Sequence, residues 1–170
     1  AIGSGVTFFD TAPSYGNTEL LLGELSSDTK SKVTIATKAG LRKDRTGQIS
    51  RDFSGSYLTR QVDQSLTRLR VDCLDLFQLN KPTQTDLADG RLFELLKIFQ
   101  DSGKIRYTGI VVGSSESALA CLRSNSVDCV QILYNLLFPE HIAIIKEAGR
   151  RGKGVIVRSP LNSGVLSGYY

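Results

Sequence analysis

The sequence predicts an α/β fold, a parallel (β/α)8 TIM barrel of which about six β/α units are present, and three observations lead there. Short β-rich runs alternate with amphipathic helical patterns along the 170 residues. The strand runs are near-continuously apolar, as expected of a parallel sheet covered by helices. No Gly-x-Gly-x-x-Gly follows the first strand, which disfavours a doubly wound dinucleotide-binding sheet. Polar residues collect instead at the C-terminal ends of the strands, the edge on which barrels build their sites.

The elements follow in order. Val6 to Asp10 is the first strand, followed by a turn-rich stretch and a leucine-rich helix from about Thr18 to Leu25. Val33 to Lys38 is the second strand. A polar segment, Ala39 to Ser56, leads to a helix with Leu58, Val62, Leu66 and Leu69 at helical spacing. Leu74 to Asn80 is the third strand, and a helix around Leu92, Leu95, Leu96 and Phe99 closes at Gly103. Tyr107 to Val112 is the fourth strand. Ser114 or Ser115 caps the next helix, which carries Leu119 and Leu122. Cys129 to Asn135 is the fifth strand, a helix from Pro139 through Ala148 ends at Gly149, and Gly154 to Arg158 is the sixth.

Composition bounds the rest. Residues 1–170 are expected to form one domain, since 41% hydrophobic and 22% charged residues are ordinary for a globular protein able to bury a core. No apolar run approaches the roughly 20 residues of a membrane helix, and no signal peptide opens the chain, so a membrane partner is not expected. The net charge of +4 comes from cations scattered among acids, which favours a solvated surface over a nucleic-acid patch. A basic lining for an anionic cofactor phosphate remains compatible with it. Cys73, Cys121 and Cys129 lack metal-type spacing and are odd in number. They read as free thiols in a reducing cytoplasm, with neither disulfide framework nor metal site. His141, the one histidine, follows Pro139-Glu140 at an expected helix start and reads as a surface or capping residue.

Three strand ends carry chemistry: Asp10, Lys38 and Asn80. Each alone could cap a turn, face solvent or open a loop; together on successive strands they favour a site. Tyr15 joins them five residues after Asp10. A free tyrosine, with a pKa of about 10, is a poor acid at neutral pH. A neighbouring ammonium such as Lys38 is expected to stabilise the phenolate and lower that pKa, with Asp10 holding the lysine charged. Asn80 can donate an amide hydrogen bond to a substrate carbonyl.

These residues lie in wider motifs. Gly5-Val-Thr-Phe-Phe-Asp-Thr-Ala-Pro-Ser-Tyr-Gly16, followed by Glu19 and Leu22-Gly23, resembles the aldo-keto reductase signature around its catalytic aspartate and tyrosine. Ala36-Thr-Lys-Ala-Gly40 resembles the segment with the catalytic lysine. Ser65-Leu-Thr-Arg-Leu-Arg-Val-Asp-Cys-Leu-Asp-Leu-Phe-Gln-Leu79 is similar to the helix and strand leading to the fourth site residue. The resemblance implies hydride transfer from NADPH to an aldehyde or ketone. Tyr15 would be the general acid, Lys38 its pKa modifier and Asp10 the partner of Lys38. It also implies that Gln131 holds the nicotinamide carboxamide, and that the loop Ser159, Pro160, Leu161, Asn162, Ser163, Gly164 lays its backbone along the pyrophosphate. Arg158 stands where many members stack an aromatic residue on the nicotinamide.

The sequence departs from the family pattern at several points. Asn80 replaces the histidine of most active members, and asparagine at this position also resembles the potassium-channel β-subunit branch. That implies an alternative: a weakly active or inactive regulatory member of the same fold. Val111 and Val112 replace a Ser-Asn pair, which removes one or two cofactor hydrogen bonds at about 1 kcal/mol each. By the resemblance, the first and eighth strands and the clamp for the adenosine 2′-phosphate fall outside the chain, so it is expected to be part of a longer protein. A lyase or isomerase using Lys38 as a Schiff-base amine is a more distant reading.

Overall fold

The computed structural model describes residues 1–43 and 46–169. Six strands form one parallel sheet: β1 (Phe8–Asp10), β2 (Thr34–Ala39), β5 (Leu74–Asn80), β6 (Ile105–Val111), β7 (Cys129–Leu133) and β8 (Gly154–Arg158), adjacent in that order. Two further strands, β3 (Leu41–Lys43) and β4 (Ile49–Arg51), form a separate antiparallel hairpin after β2. The helices are α1 (Thr18–Gly23), α2 (Ser27–Lys30), α3 (Gly55–Leu69), α4 (Gln84–Ala88), α5 (Arg91–Asp101), α6 (Ser115–Arg123) and α7 (Ile142–Arg150).

The sheet is curled, and one contact demonstrates it. Gln131 on β7 stands four strand spacings from Asp10 on β1, about 19 Å across a flat sheet. Yet Gln131 Nε2 donates to Asp10 Oδ2 at 3.1 Å. The strands therefore wrap around an interior, as the sequence predicts for a barrel rather than a doubly wound sheet. Below the polar end, Ala36, Leu76 and Cys129 pack together with Ile156. Burial pushes the Cys129 thiol up to about 12, so it serves as apolar filling.

The main core lies on the outer face. Phe77, Leu79, Ile110, Val130 and Ile132 meet Leu58, Val62, Leu96, Phe99, Leu122 and Ile144 from the helices. The rings of Phe77 and Phe99 meet edge to face at 6.2 Å. The helical spacing at Leu58, Val62 and Leu69 buries one side of α3, as expected. Gly103 takes a left-handed φ of 72° after α5, and Ser114 caps α6 by accepting from Ser117 N.

Several boundaries differ from the sequence reading. The first strand is confined to Phe8–Asp10, and α1 stops at Gly23 rather than Leu25. The fourth barrel strand starts earlier, at Ile105, where a buried isoleucine pairs with Leu74. The polar segment after Ala39 contains the β3–β4 hairpin, whose three-residue strands are too short to show alternation. The short α2 and α4 were also not expected; α4 is held by a Thr83–Asp86 capping box. The last helix runs from Ile142 through Gly149 to Arg150, and the left-handed glycine that ends its turn is Gly152, φ 64°. His141 precedes it, but its side chain makes no cap: Nδ1 is buried without a hydrogen-bond partner among the described residues. Among the described residues no helix is long and apolar enough to cross a membrane.

Candidate active site

Inward positions at the C-terminal end of the barrel strands converge on Asp10. Lys38 Nζ donates to Asp10 Oδ2 at 2.5 Å and to the Thr11 carbonyl at 3.0 Å. Gln78 Nε2 donates to Asp10 Oδ1 at 2.8 Å, and Gln131 Nε2 bridges Asp10 Oδ2 and Gln78 Oε1. Lys38 is 2% exposed, and Gln78 and Gln131 are buried beside it. Gly109 on β6 makes the room: a Cβ there would lie 2.9 Å from Gln78 Cγ. A buried ammonium is costly unless paired and hydrogen-bonded, and Asp10 with the Thr11 carbonyl supplies both.

Tyr15 closes the short 3-10 turn Pro13–Tyr15, and Gly16 follows with φ 69° and ψ −127°, a conformation that suits glycine. Lys38 Nζ lies 5.2 Å from the centre of the Tyr15 ring, within cation–π range. The tyrosine is half exposed at the mouth of a cleft of about 580 Å³, which Asp10, Lys38, Asn80, Gln131, Arg158 and Ser159 also line. Catalytic and cofactor candidates from five strands and their loops are thus gathered on one edge. Val111 lines the same cleft, whereas Val112 is buried in the outer core.

The electrostatics differ from expectation. Lys38 does not bring the Tyr15 phenol below its ordinary range. The phenol is pushed above its ordinary 10.0, first by burial and then by the Asp10 charge; Arg158 is the cation that opposes this. The Lys38 ammonium is held by Asp10 and the Thr11 carbonyl and lies over the tyrosine ring. Lys38 itself is held below its ordinary 10.5 by burial, with Asp10 pulling the other way.

The remaining candidates lie at the end of β8 and in the turn after it. Arg158 Nε is buried without a hydrogen-bond partner among the described residues. The Ser159 carbonyl accepts from Asn135 Nδ2 at 3.0 Å, tying the loop to the end of β7. Ser159, Asn162 and Ser163 all adopt left-handed φ values, 54°, 45° and 55°. Such strain in non-glycine residues persists only where surrounding structure imposes it. Pro160, Leu161 and Ser163 lie on this exposed turn beyond the cleft lining.

Sequence reasoning missed Gln78. Its signal was available: two residues before Asn80 on a strand, it must share the inward face. Lys81, with φ 58°, and Arg42 also reach the cleft and were not expected there.

Comparison with known proteins follows the same line. The model of the aldo/keto reductase family matches residues 1–170. An aldo-keto reductase of Strobilurus tenacellus is 30% identical over 98% of this chain and 50% of its own length. The yakc aldo-keto reductase [NADP(+)] of Schizosaccharomyces pombe is 28% identical over 98% of this chain and 51% of its own length. The chain therefore spans about half the length of the curated relatives it matches. An aldo-keto reductase from Bacillus halodurans in its holo form superposes with a TM-score of 0.86 at 29% identity, covering 97% of this chain and 56% of that one. The glycerol dehydrogenase of Gluconobacter oxydans gives 0.86 at 27% identity, over 99% and 54%.

Proposed function

The chain belongs to the aldo/keto reductase family, and from that premise we propose that its protein reduces an aldehyde or ketone with NADPH, Tyr15 serving as proton donor. The observation that carries the reading is the Asp10–Lys38 pair at 2.5 Å directly beneath the Tyr15 ring, in a cleft shared with Asn80. A carbonyl oxygen entering this cleft meets the tyrosine hydroxyl and the asparagine amide as donors. Lys38 and Asp10 hold a fixed charge pair beneath them, and a preorganised dipole of this kind stabilises charge developing in the transition state.

The cofactor reading is supported by the residues after β8. The unpartnered Arg158 Nε offers a buried donor to an anionic or carbonyl group, and the turn after it holds Ser159, Asn162 and Ser163 in left-handed backbone conformations. Arg158, Ser159, Pro160, Leu161 and Ser163 would hold the nucleotide, and Gln131 would hold its nicotinamide carboxamide. When bound, NADPH supplies the hydride. The S. pombe relative is named for NADP(+), and the three free cysteines are in keeping with a reducing cytoplasm.

Asn80 favours a second reading, a regulatory or weakly active member, because an amide donates but does not titrate. One experiment separates the two. NADPH binding is followed by fluorescence quenching, and NADPH oxidation is measured against a panel of aldehydes and ketones. The reductase reading expects Tyr15→Phe to cut turnover roughly 10²- to 10⁴-fold with binding retained. Binding without turnover selects the regulatory reading, and absence of binding overturns both.

A further inference from the structure

Glu19 is the most deeply sealed acid near the site, at 1% exposure, yet it does not face the cleft. It lies in the first turn of α1, four residues after Tyr15, on the outer side of the sheet. Its carboxylate accepts from Thr37 Oγ1 at 2.6 Å and from Arg68 Nε at 2.8 Å. Thr37 is the residue before Lys38 on β2, fully buried and facing out where Lys38 faces in.

The Tyr15 loop is fastened to β2 at both of its limbs. At the near limb, Thr11 N donates to the Ala36 carbonyl and the Thr11 carbonyl accepts from Lys38 Nζ. At the far limb, Glu19 grips Thr37, while Thr18 Oγ1 meets Thr11 Oγ1 at 2.6 Å across the base of the loop. Behind them α1 rests backbone to backbone on α3: a Cβ on Gly23 would fall 2.1 Å from the Arg68 carbonyl oxygen. A buried ion pair is weak evidence for stability, because an apolar pair of similar volume often does as well or better. What such a pair supplies here is a fixed register between two chain segments, and those segments carry Tyr15 and Lys38.

We propose that Glu19 is a positioning residue for Tyr15 and Lys38: its carboxylate ties the helix after the tyrosine to the strand carrying the lysine. This rests on the reductase reading for its effect on turnover, but the placement itself can be observed without turnover. The informative variants are Thr37→Val, which removes the hydroxyl at constant volume and keeps the Glu19–Arg68 pair, and Thr37→Ser, which restores the hydroxyl. Thr37→Val is expected to lower kcat roughly tenfold to a hundredfold, the cost of a small misplacement of reacting groups, with KM for NADPH little changed. Thr37→Ser is expected to recover most of that loss. In parallel, the Lys38 ε-methylene NMR signals, assigned with Lys38→Met, report the overlying Tyr15 ring through its ring current. They are expected to move toward solvent values in Thr37→Val and to stay in place in Thr37→Ser. Equal kcat and unmoved Lys38 signals in Thr37→Val overturn the proposal. If the wild-type protein shows no turnover while the signals still move in Thr37→Val, the positioning is sustained and the reductase reading is rejected instead.

Discussion

Thr37 and Lys38 are neighbours on one strand, yet they serve carboxylates on opposite faces of the sheet, and the two ion pairs are built in reverse. In the inner pair the cation is sealed: Lys38 and Asp10 side chains are 1% and 27% exposed. In the outer pair the anion is sealed, Glu19 at 1% against 30% for Arg68. The sealed member is held at a fixed point in each case, and the other meets water. Inside the barrel this leaves a fixed ammonium beneath the Tyr15 ring and a carboxylate open to the cleft. Outside, it leaves a clamp between α1, α3 and β2 with no open chemistry. On the proposed reductase reading, the same pairing serves a reaction on one face and a register on the other.

The largest expected effect breaks the inner pair. Lys38→Met fills similar volume without the charge, so Asp10 keeps only the Gln78 and Gln131 amides and the cation beneath Tyr15 is lost. Turnover measured with saturating NADPH is expected to fall roughly 10²- to 10⁴-fold, comparable to removing a positioned proton-transfer group. A loss of less than about tenfold would show that the inner pair is structural, like the outer one.

Breaking the outer pair should be felt in stability first. Arg68→Met strands the Glu19 carboxylate, and loss of one partner of a buried pair costs about 3–5 kcal/mol. Water reaching the partly open Arg68 site argues for the lower end, roughly 3 kcal/mol. Urea unfolding checks this, and the double variant Glu19→Leu with Arg68→Leu should recover most of it. If the double variant is no better than the single, the charge was not what the site required.

Much of this comparison was legible in the sequence, and the part that was not has a physical reason. The alternation of apolar strands and amphipathic helices is local, so the order of the six barrel strands and the strand ends at Asp10, Lys38 and Asn80 could be read directly. Gln78 was readable from strand parity but looked like filling among apolar neighbours. The Glu19–Thr37–Arg68 cluster joins residues 18 and 49 positions apart in the chain, and no periodicity signals such a meeting. The β3–β4 hairpin is hidden by short strands with polar residues on both faces. The direction of the Tyr15 shift is a sum of burial and charges from across the barrel, so spacing to Lys38 pointed the wrong way.

That sum yields the smallest expected effect, and the one that separates the two pairs most finely. Lys38 is held below 10.5, because burial disfavours its charged form more than Asp10 restores it. Between the folded value and 10.5 the unfolded chain still holds the lysine proton while the folded chain has released it. Stability therefore rises with pH through that window, since the unfolded state binds more protons there. Turnover, on the proposed reductase reading, is expected to move the other way, because the ammonium beneath Tyr15 is being lost. Tyr15, raised above 10.0, and Lys153, lowered from 10.5, titrate nearby, but both are common to wild type and Lys38→Met. The difference between the two proteins in unfolding midpoint against pH isolates the lysine: it should grow in favour of wild type on the approach to 10.5. A flat difference would mean that the inner ammonium is as well compensated as any surface lysine, and the contrast between the two faces of β2 would then rest on geometry alone.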